Sequence, residues 1–322
     1  MIERLTFTDR MIVAIKEKKS ILNVGLDPQP KFMPPHLVTW AFDEYGSTWE
    51  AVGHLYERFN RQIIDVVAPF AVSVKPQIAF YEAYGCWGIW AFEETIQYAK
   101  SKGLLVITDA KRGDGGDTAQ AYADGHLGEV PMFSMGTTES PLRADALTIH
   151  AWIGSSCISP FLAAVKKYGT GVFVVDKTSF DPNSEVEQTI TQSGLPNWQV
   201  LAKMVEVWGE GTEGKYNYRN FGVVMGATYP EDAEVMRQIL PNTWFLIPGY
   251  GAQGGGADGT VVGFNKDGFG GIVNSSRGII AAWQKGPFQC DPEKFTAAAA
   301  KAAEFARDDL NEALKRAGKM NW

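Results

Sequence analysis

Short runs of apolar, largely β-branched residues recur along the chain, separated by stretches whose apolar positions follow a helical spacing. Eight runs stand out: ILNVGLD (21 to 27), FAVSVKPQ (70 to 77), LLVITDAK (104 to 111), ALTIHAW (146 to 152), GVFVVDKTS (171 to 179), FGVVMGAT (221 to 228), TWFLIPGYG (243 to 251) and GGIVNSSRG (270 to 278). Strands buried on both faces read as continuous apolar runs, so this alternation predicts a parallel sheet covered by helices. Nearly every run ends in polar, glycine or proline residues, and barrel enzymes place their active sites at those C-terminal strand ends. The expected fold is a single-domain α/β protein, a (β/α)8 TIM barrel with enlarged loops, its core at about residues 20 to 280.

Between the runs, EETIQYAKSKG (93 to 103) and PEDAEVMRQIL (230 to 240) read as outer helices, the second opening on proline and acids as a helix start should. A C-terminal helix over about 292 to 318 is predicted from an Asp-Pro start, apolar Phe295, Ala302, Phe305, Leu310 and Leu314 at helical spacing, and a terminal glycine. A barrel uses about 250 of the 322 residues. The surplus falls in 29 to 60, 128 to 142 and 180 to 220, which are rich in Pro, Gly, Trp and charge. No low-complexity linker and no internal repeat is visible.

Composition narrows the classes of function. A hydrophobic content of 45% is ample for a large core. The formal charge of −7 argues against nucleic acid or an anionic membrane as the main partner, so an anionic substrate would need a local basic site. The start, MIERLTFTDRMIVAIKEKKS, carries charges every few residues and lacks a signal-peptide core, and no apolar run approaches membrane-span length. A cytoplasmic protein is expected. Cys86, Cys157 and Cys290 are far apart and without CxxC spacing, which reads as idle thiols. His36, His54, His126 and His150 show no HExxH spacing, so no metal site is expected.

Candidate chemistry concentrates at the first three strand ends. In LLVITDAKRGDGGDT the two-residue period of a strand puts Asp109 and Lys111 on one face, and Asp114 follows on the loop. An isolated D-x-K is ordinarily a surface salt bridge. Here Lys75 ends the preceding run and Asp27 the first, and four ionisable groups at adjacent barrel mouths are poorly explained as solvated decoration. A lysine flanked by carboxylates stays protonated, since unit charges about 4 Å apart interact by roughly 4 kcal/mol at an effective dielectric of about 20. Such an ammonium is a poor base and a good acid, able to stabilise a carbanion as it forms and then to protonate it. A flanking aspartate would repel a carboxylate on the same carbon, which favours loss of CO2.

The last two runs offer a different set. PGYGAQGGG (248 to 256) supplies backbone N–H groups and the Gln253 amide, and VNSSRGI (273 to 279) supplies Arg277. Barrels commonly bind phosphate at these loops, where arginine provides a bidentate fork and glycine lets the backbone approach. Tyr250, beside the glycine turn, reads either as a packing residue or as one that closes over the ligand, the second being slightly preferred.

DAKRGD (109 to 114) with Thr118, VGLDP, VKPQIAFYE, PGYGAQGG and NSSRGI together resemble the orotidine 5′-monophosphate decarboxylases, in their long bacterial form. The resemblance implies decarboxylation of orotidine 5′-monophosphate to uridine 5′-monophosphate without metal or organic cofactor, on a homodimer with shared active sites. It implies that Lys75 and Asp27 contact the ribose, that Asp109 lies beside the departing carboxylate, and that Lys111 protonates the pyrimidine carbon. Residues matching Asp114 and Thr118 reach the ribose from the partner chain. Gln253 and Arg277 match phosphate contacts, and Ser179 the pyrimidine-binding serine.

One position departs from the family pattern. Gly115 stands where isoleucine is usual: either neighbouring side chains fill the gap, or an apolar anchor is lost at a cost of about 1 to 3 kcal/mol and the backbone holding Asp114 is loosened. Two other functions are weighed. A metal-dependent sugar-phosphate decarboxylase or aldolase of the same superfamily would need an acidic metal ligand where this chain has Lys75. A non-catalytic phosphate-ligand binding protein would have no use for an array that repels an anionic substrate.

Overall fold

The eight apolar runs form the eight parallel strands of a closed barrel in the computed structural model, which describes residues 5–180, 185–251 and 254–322. The strands are β1 (Leu22–Leu26), β2 (Ser73–Pro76), β3 (Leu105–Arg112), β4 (Ala146–Ile149), β5 (Gly171–Lys177), β6 (Arg219–Met225), β7 (Thr243–Pro248) and β8 (Gly271–Ser275). Each pairs with its sequence neighbours, and β8 closes on β1 with Leu22 opposite Val273. Barrel closure leaves no free edge, and residues such as Val24, Val74, Val106, Leu147, Val174 and Val273 are buried between the barrel and its helices.

Several strands are shorter than the apolar runs that predict them. Residues left over at the C-terminal ends, Asp27, Gln77, His150 to Trp152 and Thr178 to Ser179, are the mouth of the barrel. β6 instead begins two residues before its apolar run, at Arg219 and Asn220, whose polar groups are satisfied within the fold. The Arg219 guanidinium pairs with Glu206 (2.7 Å) and Glu213 (3.0 Å), and Asn220 Oδ1 accepts the Thr8 N–H at 2.8 Å.

Thr8 belongs to a helix, Phe7–Lys18, that covers the N-terminal ends of β5 and β6, with the Phe7 ring packed edge-on against Phe173 at 5.8 Å. The surplus segments also fold locally. Residues 29 to 60 contribute a helix at Pro35–Tyr45 and the start of Trp49–Val67, residues 128 to 142 a small antiparallel hairpin (Glu129–Pro131 with Thr137–Glu139), and residues 180 to 220 the helices Glu185–Gln188 and Asn197–Trp208. The predicted C-terminal helix runs Phe295–Arg316. Asp291 does cap, accepting from Glu293 N at 2.9 Å, but what it starts is a single 3-10 turn, Pro292–Lys294, that leads into the helix. Phe295 then stacks on Phe59 at 5.4 Å and fixes the long helix to the barrel's outer layer. Among the described residues no helix is long and apolar enough to cross a membrane.

Candidate active site

All eight strands send residues to one cavity of about 430 Å³ at the C-terminal end of the barrel. Asp27 arrives from β1, Lys75 from β2, Asp109 and Lys111 from β3, Thr148 from β4, Ser179 from β5, Val224 from β6, Pro248 from β7 and Arg277 from β8. The structure thus brings together six of the residues singled out by sequence: Asp27, Lys75, Asp109, Lys111, Ser179 and Arg277.

Asp109 sits at the centre of the charged group. Its Oδ2 lies 2.5 Å from Lys75 Nζ and its Oδ1 2.5 Å from Lys111 Nζ, while Thr148 Oγ1 donates to Oδ1 at 2.8 Å. Burial favours the neutral acid, but the charges of Lys75 and Lys111 and their hydrogen bonds reverse this and hold Asp109 far below the usual carboxylate range. Burial likewise works against the Lys75 ammonium, and the carboxylates of Asp109 and Asp27 overcome it, raising that lysine above its ordinary value. Both Lys75 and Asp109 are buried, whereas the Lys111 side chain is 42% exposed and faces the cavity.

The meeting of Asp109 and Lys111 does not come from a regular pleat. Lys111 has φ of +49°, a left-handed backbone uncommon for a side chain of this size, and the β3–β4 register shifts between Thr108 and Arg112. The Lys111 N–H donates to Thr148 Oγ1 at 3.1 Å, so one threonine hydroxyl accepts from the strained backbone and donates to the carboxylate. The irregularity turns the lysine head back onto Asp109.

Asp27 keeps part of its surface open to solvent, yet its Oδ1 is shut away and has no hydrogen-bond partner among the described residues. Burial raises its pKa against the attraction of Lys75 and the hydrogen bond with Ser276. That bond requires glycine at position 25, because a Cβ there would stand 1.8 Å from Ser276 Oγ. Beneath it runs a buried chain in which Ser73 Oγ donates to Asn23 Oδ1 (2.6 Å), Asn23 Nδ2 to Asn274 Oδ1 (2.7 Å) and Asn274 Nδ2 to Ser276 Oγ (3.2 Å).

Next to Ser276 along the chain, Arg277 is exposed and lines the cavity together with Gly249 and Tyr250. Gly249, Gly251 and Gly254 all take positive φ, so this turn depends on glycine. Gln253 lies outside the described residues. The Tyr250 ring lines the cavity, but its hydroxyl donates to Asp309 of the C-terminal helix at 2.7 Å, an anchor that the expectation of a ligand cover did not include.

Asp114 and Thr118 stay outside the chain's own cavity. Asp114 is on the exposed loop after β3, its Oδ1 accepting the Gly115 N–H at 2.7 Å, and Thr118 is exposed in the first turn of the helix Gly116–Leu127. At Gly115 a Cβ would meet nothing within 4 Å, so the space immediately beside this residue is open in the chain itself.

Thr148, Asn274 and Lys31 also line the cavity and are not evident from sequence, and Ser276, whose neighbouring amides the sequence offers for phosphate, brings its side chain there as well. Thr148, Asn274 and Ser276 are polar residues in or just beyond apolar runs, and the two-residue period would have placed Thr148 on an inward face. Among the described residues, no group of three or more His, Cys, Asp and Glu side chains is placed to hold a metal ion.

Comparison with known proteins agrees with this geometry. The model of the orotidine 5′-phosphate decarboxylase / HUMPS family matches residues 20–286. An orotidine 5′-phosphate decarboxylase of Caldicellulosiruptor saccharolyticus is 36% identical over 96% of this chain and 99% of its own, and one of Rhodopirellula baltica is 35% identical over 97% and 99%. The structure of Leishmania donovani OMP decarboxylase superposes with a TM-score of 0.71 at 27% identity, covering 96% of this chain and 98% of the other. Together with these matches, the fold and the charged mouth define a (β/α)8-barrel enzyme of the carboxy-lyase class. More particularly, the chain belongs to the orotidine 5′-phosphate decarboxylase / HUMPS family.

The raised pKa of Asp27 carries a stability cost with a definite sign. A carboxyl that holds its proton more tightly in the folded protein loses stability as pH rises from the ordinary carboxylate value through the folded one. Asp27→Asn, which removes the ionisation, is expected to melt higher than wild type at about pH 8 and to lose that advantage as pH falls toward about 4. Thermal melts across that range check it, and an Asn variant no more stable than wild type at the upper pH would contradict the assignment.

Proposed function

We propose that the protein decarboxylates orotidine 5′-monophosphate to uridine 5′-monophosphate in de novo pyrimidine synthesis, acting as a cytoplasmic homodimer without metal or organic cofactor. The observation that carries this reading is Asp109 held between two lysine ammonium groups, one buried and one facing the cavity.

In the proposed complex the pyrimidine C6 carboxylate lies beside Asp109, whose ionised state is secured by Lys75 and Lys111. The bond from C6 to the carboxylate breaks, CO2 leaves, and the electron pair remains on C6. The Lys111 ammonium, fixed beforehand next to that carbon, stabilises the developing carbanion and gives it a proton, forming the C6–H bond. Lys111 is left as a neutral amine and regains its proton from solvent. Little rearrangement is needed, since the ammonium is already in place when charge develops.

The remaining residues hold the nucleotide. The unpaired, buried Oδ1 of Asp27 suits a hydroxyl donor, and with Lys75 it would take the ribose. Ser179 would meet the polar edge of the pyrimidine, and Arg277 with Gln253 the phosphate. Binding energy from the phosphate then helps to hold the reacting ring.

The dimer is supported by what a single chain lacks. Asp114 and Thr118 are exposed and lie outside their own cavity, and a Cβ on Gly115 would meet open space. We assign them to the neighbouring site, where the partner subunit's Asp114 and the partner subunit's Thr118 would complete the ribose contacts. A metal-dependent sugar-phosphate reaction fits less well: the Lys75 ammonium, bonded to Asp109 and attracted by Asp27, puts a cation where Mg2+ would need an acidic ligand. A purely binding role leaves the strained Lys111 backbone and the paired lysines without a use.

Purified protein is expected to release CO2 from orotidine 5′-monophosphate at the same rate with and without chelator. Lys111→Ala should abolish turnover while melting close to wild type; retained turnover would remove the lysine from the chemistry, and loss on chelation would favour the metal reading. For the shared site, Lys111→Ala and Asp114→Asn are each expected to be inactive alone. Mixed and allowed to exchange subunits, they should regain up to about a quarter of wild-type activity, since random pairing leaves one intact site in half of the dimers. A mixture as inactive as its components would place Asp114 in its own chain's site or in none.

A further inference from the structure

The strand end that carries Ser179 is built around an ion pair outside the cavity. The Lys177 side chain is wholly buried, with its Nζ 3.1 Å from Glu187 Oε2 and 4.3 Å from the centre of the Tyr229 ring. The other oxygen of the same carboxylate, Oε1, accepts the backbone N–H of Thr178 at 3.1 Å. One glutamate therefore holds both the lysine side chain and the peptide unit that joins Lys177 to Thr178, the residue before Ser179.

The loop after β6 grips the same segment from its other side. Gly226 N donates to Lys177 O at 2.8 Å, Thr228 Oγ1 donates to Ser179 O at 3.2 Å, and the Tyr229 hydroxyl donates to Phe180 O. A Cβ on Gly226 would lie 2.5 Å from Thr178 O and 2.6 Å from Ser179 N, so the two loops touch this closely only because position 226 is glycine. Asp176 is also buried beside the pair, and neither of its oxygens is hydrogen-bonded among the described residues. Burial, with Glu187 close by, holds its carboxyl well above the ordinary range, which leaves Glu187 as the counter-ion of Lys177.

A buried ion pair is a poor device for stability, because desolvation of both groups offsets their attraction and apolar residues of similar volume commonly replace it without loss. Its effect here is directional. Two bonds from one carboxylate fix the backbone of Thr178, and Thr178, Ser179 and Phe180 all line the cavity.

We propose that Lys177 and Glu187 are positioning residues, whose ion pair sets the Thr178 to Phe180 segment so that Ser179 meets the polar edge of the pyrimidine ring. The proposal rests on the pyrimidine-binding role given to Ser179 above. It extends the working site to a part of the fold that substrate does not touch.

The test is a mutant cycle on kcat/KM for orotidine 5′-monophosphate, read in the full-length protein. It compares wild type, Ser179→Ala, the apolar pair Lys177→Met with Glu187→Leu, and the combination of all three substitutions. Ser179→Ala is expected to lower kcat/KM about tenfold, as loss of one hydrogen bond to substrate should. The apolar pair should cause a loss of similar size in a protein that still folds cooperatively. The combination should fall no more than about twofold below the weaker of the two, because both act through one contact. Should the apolar pair fail to fold, Glu187→Gln takes its place in the same cycle. Losses that multiply, or an apolar pair within about twofold of wild type, overturn the proposal while leaving Ser179 in the site. Ser179→Ala within about twofold of wild type removes Ser179 from the site, and the proposal with it.

Discussion

A carboxylate buried at the mouth of a barrel must be compensated, and the way Asp109 is compensated organises everything around it. Two ammonium groups at 2.5 Å and a threonine hydroxyl at 2.8 Å take up its charge. An uncompensated charge at this depth would neutralise by taking a proton, and the site would then have no fixed negative charge to set beside a second carboxylate. The lysines have their positions because the aspartate needs them, and the aspartate remains ionised because the lysines are there. Lys75 arrives along a regular strand. Lys111 reaches its place only through a left-handed residue and a shifted register in β3, a local strain secured by Thr148 from the neighbouring strand.

The other polar groups of the mouth divide between those fully satisfied within the chain and those that are not. The chain of hydrogen bonds from Ser73 through Asn23 and Asn274 to Ser276 is closed, and it makes a rigid floor under Asp27. Among the described residues Asp27 Oδ1 is left without a partner. An unsatisfied polar atom at the cavity is what a ligand would complete. The same division explains why the C-terminal helix matters at a distance from the charged centre: Asp309 fixes Tyr250, and Tyr250 borders the glycine turn beside Arg277.

The barrel was legible because its strands are covered on both faces, so each reads as an apolar run, and because the polar residues ending those runs are the ones that form the mouth. Asp27, Lys75, Asp109 and Lys111 were visible for the same reason, as charges where apolar character stops. Thr148 was hidden because it is a polar residue within a run, and Asn274 because an uncharged amide beside two serines does not stand out as the charges do; the neighbours of each depend on how the barrel closes. The bulge at Lys111 was also invisible, since a regular period predicts the same pairing by a different backbone. Helix Phe7–Lys18 was overlooked as a mere absence of signal peptide, although Thr8 and Phe7 seal the lower ends of β5 and β6. What surrounds Gly115 is likewise not legible in the sequence, since the open space beside it is a property of how the loop lies.

At the centre stands the claim that Lys111 exchanges a proton with the pyrimidine carbon. A carbanion that Lys111 can protonate must, in reverse, be reachable by removing that proton from the product. Uridine 5′-monophosphate incubated with the enzyme in D2O and followed by proton NMR is therefore expected to exchange its C6 hydrogen for deuterium, at a rate lost in Lys111→Ala. Absence of exchange with wild type, or exchange unaltered by the substitution, would contradict it.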